Sequence, residues 1–191
     1  AADAVAQVLK NTGQFGALAA ILLSMGTVAA EVERGTAAFV LVKPASRAAF
    51  LAAKLLAIAV TLGAGTGLAV AGAAVYTAVL FKPLPADGWA VLAGTIWLSL
   101  LAYAAITFLG SVVARSTAGC AAIGVVGLIV LALIAALPTV SPYLPGGLGE
   151  LGGKVALGLP AKELWGSVAV SAGIVVAAVA LATLAFRRRE L

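Results

Sequence analysis

Charged side chains are scarce in this chain, so the places where they gather carry information. The densest group reads Glu31-Val32-Glu33-Arg34-Gly35-Thr36, then the apolar residues 37–42, then Lys43-Pro44-Ala45-Ser46-Arg47, with Phe50 and Lys54 beyond. Carboxylates next to an arginine suit ion pairs and charge-assisted hydrogen bonds with a partner surface. They do not suit catalysis here. The chain has no His, so it builds neither a Ser/His/Asp set nor a His-Glu-x-x-His zinc site. Its one cysteine, Cys120, excludes an internal disulfide and, without His, a Cys/His metal site. The chemistry left to these residues is recognition.

Two glycine patterns could suggest a nucleotide. Gly147-Leu148-Gly149-Glu150-Leu151-Gly152 matches G-x-G-x-x-G letter for letter, but no strand precedes it and no βαβ unit surrounds it. Gly153-Lys154 resembles the end of a phosphate loop, but Leu148 and Val155 stand where that loop needs Gly and Ser or Thr. The chain therefore carries no ATP loop of its own. Gly63-x-x-x-Gly67 is a spacing that lets two apolar helices approach closely.

The elements that hold these residues follow from composition. Of 191 residues, 63% are hydrophobic and 10% charged. A soluble domain carries about 25% charged residues, so this chain cannot cover a water-facing surface. A helix needs about 20 mostly apolar residues to cross the bilayer. Five stretches qualify, at about 15–30, 48–81, 89–114, 119–137 and 165–186. All are helical, because open sheet edges are not stable in lipid, and the fold class is an all-α polytopic membrane protein in one transmembrane domain. The second stretch is about 51 Å long at 1.5 Å per residue, so it projects, tilts, or bends near Gly63–Gly67. Residues 138–164 form a long outer loop rich in Pro and Gly, with room for short interfacial or re-entrant helices. Within the spans only Lys54 is ionisable, near an end where it can snorkel. An ion-coupled carrier would need more intramembrane charge.

Orientation follows from the basic residues. Arg34, Lys43, Arg47, Lys54, Arg115, Arg187, Arg188 and Arg189 fall on one side; Lys10, Lys82, Lys154 and Lys162 fall on the other. The first side is expected to be cytoplasmic, giving N-out and C-in. Trp89 and Trp165 fit the aromatic belt at outer span ends, Tyr143 and Pro145 also fit the interface, and Trp97 fits a packing position. The chain begins at Ala1 without a signal-peptide pattern, and an upstream span is expected.

The segment 31–47 thus forms a cytoplasmic elbow. Gly35 permits a sharp turn, Lys43-Pro44 ends the short apolar stretch, and Ser46 can cap the next helix. Read blandly, it is a positive loop that anchors topology. Read sharply, it docks a cytoplasmic partner. The pattern Glu-x-Glu-Arg-Gly-Thr, six apolar residues, Lys-Pro-x-Ser-Arg, then Phe and Lys resembles the membrane subunit of ABC transporters of the second exporter type. Among those it is most similar to the small permeases of the sodium-exporter and copper-enzyme-maturation kind. The Arg115-Ser116-Thr117 turn, the Pro-rich outer loop and the basic tail add to the resemblance. The resemblance implies six spans, a dimer of permease copies, and cytoplasmic ABC ATPase subunits that bind ATP, so the chain itself holds no cofactor. It implies that Glu31, Glu33, Arg34, Gly35, Thr36, Lys43, Pro44, Ser46 and Arg47, with Lys54 behind them, form or brace the contact with the ATPase. It implies a plasma membrane location in a prokaryote, and no nucleic-acid partner. The competing class is a non-transporting structural or assembly membrane protein, whose elbow would tolerate substitution. A largely uncharged pathway suits apolar or amphipathic cargo better than bare ions.

Overall fold

A computed structural model describes residues 2–33, 47–81, 85–114 and 116–187. The elements are α1 (Ala2–Asn11), a π-helical turn (Thr12–Gly16), α2 (Ala17–Met25), α3 (Ala29–Glu33), α4 (Arg47–Leu80), α5 (Ala86–Val113), α6 (Thr117–Ala135), a 3-10 turn (Ser141–Tyr143), α7 (Pro145–Ala156) and α8 (Leu164–Arg187). Among the described residues there is no strand. Five helical segments are long and apolar enough to cross a bilayer: Ala2–Glu31, Ala48–Leu80, Ala86–Val113, Thr117–Ala135 and Leu164–Phe186. The chain is an all-α, multi-pass membrane protein.

The axis of the bundle is α5. It packs against α2, α4, α6, α7 and α8, and a helix surrounded this way must be apolar on every side. Leu92, Ala104, Ala105 and Phe108 are fully buried along it. Its Ser and Thr hydroxyls are buried too, and each has work inside the bundle. Thr95 donates to the Leu92 carbonyl at 2.9 Å and Thr107 to the Tyr103 carbonyl at 3.1 Å. Ser99 donates to the carbonyl of Pro145. In hydrocarbon these bonds matter, because an unpaired polar group there finds no water.

The other spans expose apolar side chains. Leu68 and Val79 on α4, Leu133 on α6 and Val176 on α8 are among the most exposed large hydrophobics. On a soluble protein such a surface would aggregate; on this one it is the lipid face. Helix α4 is continuous through Gly63–Gly67, so the excess length is taken up without a break. Gly63 does permit a close approach. A Cβ there would lie 3.2 Å from Nε1 of Trp97, which donates to the Ala59 carbonyl at 2.9 Å. Gly67 meets open space, so only half of the glycine pair packs. Trp97 is a packing residue, as its position in the span suggests.

The stretch 138–164 is more ordered than a connector. Helix α7 runs antiparallel to the first half of α5: Pro145 meets Ser99, Gly152 meets Thr95 and Ala156 meets Gly88. Glycines make this possible. A Cβ on Gly152 would sit 1.9 Å from Thr95 Oγ1, and one on Gly88 would sit 2.9 Å from Ala156 Cα. Gly149 and Gly153 take the side chain of Leu9 from α1. Gly158, at φ 71°, supplies the left-handed residue that ends the helix. The G-x-G-x-x-G letters are therefore a packing surface on three neighbours. Two aromatic-belt expectations change as a result. Trp89 and Pro145 are buried under α7 and its neighbours, because the loop folds back over the span ends. Trp165 is 79% exposed, as an interface residue should be.

Candidate coupling site

One end of the bundle gathers five helix termini: the ends of α3, α5 and α8 and the starts of α4 and α6. The first span breaks just before it. After α2, Gly26-Thr27-Val28 forms a turn, and α3 begins with buried backbone donors that have no partner within the helix. Ser111 of α5 meets them: its Oγ accepts from the N–H of Val28 and of Ala29, each at 2.9 Å. Ser111 is fully buried. The first N–H groups of a helix have no partner inside it, so this hydroxyl caps α3 from another helix.

Two ties follow from α3. Glu31 forms an ion pair with Lys54 of α4. Their side chains are 27% and 30% exposed, so water screens the pair less than it screens a surface pair. The ammonium of Lys54 also lies 5.6 Å from the ring centre of Phe50, a cation–π distance. Phe50 stacks on Phe186 at the end of α8, with ring centres 6.0 Å apart and planes at 16°. Glu33 reaches the other way. Its carboxylate accepts from the N–H of Thr117 at 3.1 Å and from its hydroxyl at 2.8 Å. Thr117 is the first residue of α6, and a carboxylate at a helix N-terminus is favoured by the helix dipole. Ser116 completes that terminus by accepting from Gly119 N–H at 3.1 Å.

The predicted site residues divide as follows. Glu31, Glu33 and Lys54 come together across α3, α4 and α6, and Arg47 opens α4. Arg34, Gly35, Thr36, Lys43, Pro44 and Ser46 lie outside the described residues, as do the apolar stretch 37–42, Arg115 and the tail from Arg188. Sequence reasoning missed Ser111 and Phe186 as members of this end. Ser111 is one more hydroxyl in an apolar run, and nothing in the run marks which donors it will meet. Phe186 had a faint signal, an aromatic directly before three arginines. The contact of Glu33 with Thr117 joins two segments that had been noticed separately.

Among the described residues no group of His, Cys, Asp or Glu could hold a metal ion. What is present is a junction of helices: Glu33 ties α3 to the start of α6, and Glu31 ties α3 to Lys54 of α4.

A comparison with curated proteins finds no match. The family profile described as "ABC-2 family transporter protein" matches residues 10–191, nearly the whole chain. With five apolar spans, four of them packed around α5, this chain belongs to that family, as an ABC transporter permease of the membrane.

Proposed function

We propose that the chain is the permease of an exporter driven by a separate cytoplasmic ABC ATPase, and that segment 31–47 receives the motion of that ATPase. The observation that carries this is the double anchoring of the segment's entry, Glu31 to Lys54 and Glu33 to Thr117. A topology anchor would need positive charge alone, whereas these contacts spend both acids of the segment on neighbouring spans. The charged end is cytoplasmic, with the N-terminus out and the C-terminus in. The permease works as a pair of copies in a prokaryotic plasma membrane. The similarity to small exporter permeases supports the direction of transport. ATP-driven closure of the partner shifts the segment and rocks α3, α4 and α6 as a unit, a rigid-body transition between two states.

Reconstitution with a cognate ABC ATPase subunit tests the reading. Glu31→Lys should reduce permease-dependent ATPase activity by a factor within the range of ordinary inter-site coupling, about 5- to 150-fold. The swapped pair Glu31→Lys with Lys54→Glu should recover part of it. If reversal at Glu31 leaves both assembly and ATPase stimulation unchanged, the segment is a topology anchor and the chain reads as a non-transporting membrane protein.

A further inference from the structure

The opposite end of the bundle is hollow. A cavity of about 530 Å³ lies between α1, the π turn, α5 and the start of α7, with Lys10, Gln14, Tyr103 and Glu150 on its walls. A second, of about 430 Å³, shares Gly13, Tyr103, Gly146 and Glu150 with it. A third, of about 480 Å³, shares Thr12 and Leu100 with the first and continues as a groove between α2 and α4, past Phe15, Leu23, Leu62 and Ala69. The π turn Thr12–Gly16 contributes to all three. Insertions of this kind recur at functional sites.

Depth separates the polar cavity from the groove. Gly16 packs on Leu100, and Leu100 lies about 16 Å along α5 from Ser111 at the charged end. Lys10 is about 9 Å further along its own helix. The polar cavity therefore sits about 25 Å from the charged end, near the far boundary of a hydrocarbon core about 30 Å thick. The groove from Asn11 to Leu23 runs back about 18 Å towards the middle, close to the thickness of one leaflet. Head-group chemistry above and a leaflet-long apolar channel below is the layout of an amphiphile.

The charges specify the head. Lys10 and Glu150 line one cavity yet pair neither with each other nor with any other described residue. The hydroxyl of Tyr103 and the amide of Gln14 have no hydrogen-bond partner among the described residues either. A ligand with one charge would satisfy one of the two ionic side chains and leave it opposed by the other. A ligand with both charges satisfies both. We propose that the cavity beside the π turn binds a zwitterionic amphiphile, with its anion at Lys10, its cation at Glu150 and its tail in the groove of Phe15 and Leu62. That this ligand is the transported cargo rests on the exporter reading above; the binding site does not.

The test uses the full chain in neutral maltoside micelles, with bound ligand counted by native mass spectrometry. Four probes are compared at equal mole fraction: a single-chain lysophosphatidylcholine, a cationic trimethylammonium and an anionic phosphate with the same tail length, and glycerophosphocholine without a tail. The zwitterionic lipid should exceed each singly charged one by about tenfold, the equivalent of one charge-assisted contact. Lys10→Gln should shift the preference towards the cationic probe, and Glu150→Gln towards the anionic one. Both side chains are exposed, so folding is not expected to depend on them. Equal binding of the three heads, or variants that lower all three alike, would overturn the head assignment. Glycerophosphocholine binding as well as the lipid would overturn the groove. The assay contains neither ATP nor ATPase. Selectivity without ATPase coupling would keep this site and remove the exporter reading, and coupling without selectivity would do the reverse.

Discussion

At the scale of single residues, the charged end depends on side chains that replace missing backbone partners. Ser111 holds two N–H donors of α3 where water has no access. Removing its oxygen leaves both unpaired, at about 1–3 kcal/mol for a buried group. Ser111→Ala should therefore lower the thermal unfolding midpoint in micelles by an amount equivalent to about 2 kcal/mol, while Ser111→Thr, which keeps the oxygen, should lose less. Equal midpoints for both variants would show that the cap contributes nothing. The sequence made the acids legible, because Glu31 and Glu33 directly follow an apolar run and have no other use there. It did not make Ser111 legible. Its role depends on where α5 crosses the turn at Gly26–Val28, and that crossing is a property of packing, not of local spacing.

Among elements, α7 is the part whose position depends most on small side chains. Its glycines face α1, the 3-10 turn and α5, and no space is left for a methyl group at position 152. Gly152→Ala should push α7 away from α5 and destabilise the bundle by about 1–3 kcal/mol, the usual cost of overpacking. Thr95→Ala removes the nearest atoms and should return part of that loss in the double variant, read by denaturant unfolding against each single change. Strict additivity would mean that the two residues do not meet. The spans were legible because hydrocarbon thickness and apolar run length are tied directly. The extent of the first helix was less so: the apolar run marks about 15–30, but helix continues ahead of it to Ala2. A short helix within 138–164 was foreseeable, but its place was not, since Gly is a poor helix former in isolation and α7 rests on contact with α5. The same folding back explains Trp89, whose position in sequence fits an interface and whose position in space is buried.

For the whole molecule, the charge count makes a claim about sidedness that labelling can check. Cys120 is the only cysteine in the sequence and is buried, so the natural chain should react poorly with a membrane-impermeant maleimide. Lys154→Cys should be labelled on intact cells, and Ser116→Cys only after permeabilisation. The reverse pattern would invert the bundle and remove the cytoplasmic assignment of the elbow. The π turn at Thr12–Gly16 has a different consequence, one of angular phase. In an α-helix each residue advances the side chains by about 100°. A π turn holds one residue more than an α turn, so it sets the rotation of α1 relative to α2. With that phase Val5 is buried and Leu9 meets the glycines of α7. Deleting one residue from the turn, with the rest of the composition unchanged, would rotate all of residues 2–11 by about a quarter turn. The apolar stripe of α1 and the groove it fits would then no longer be in register.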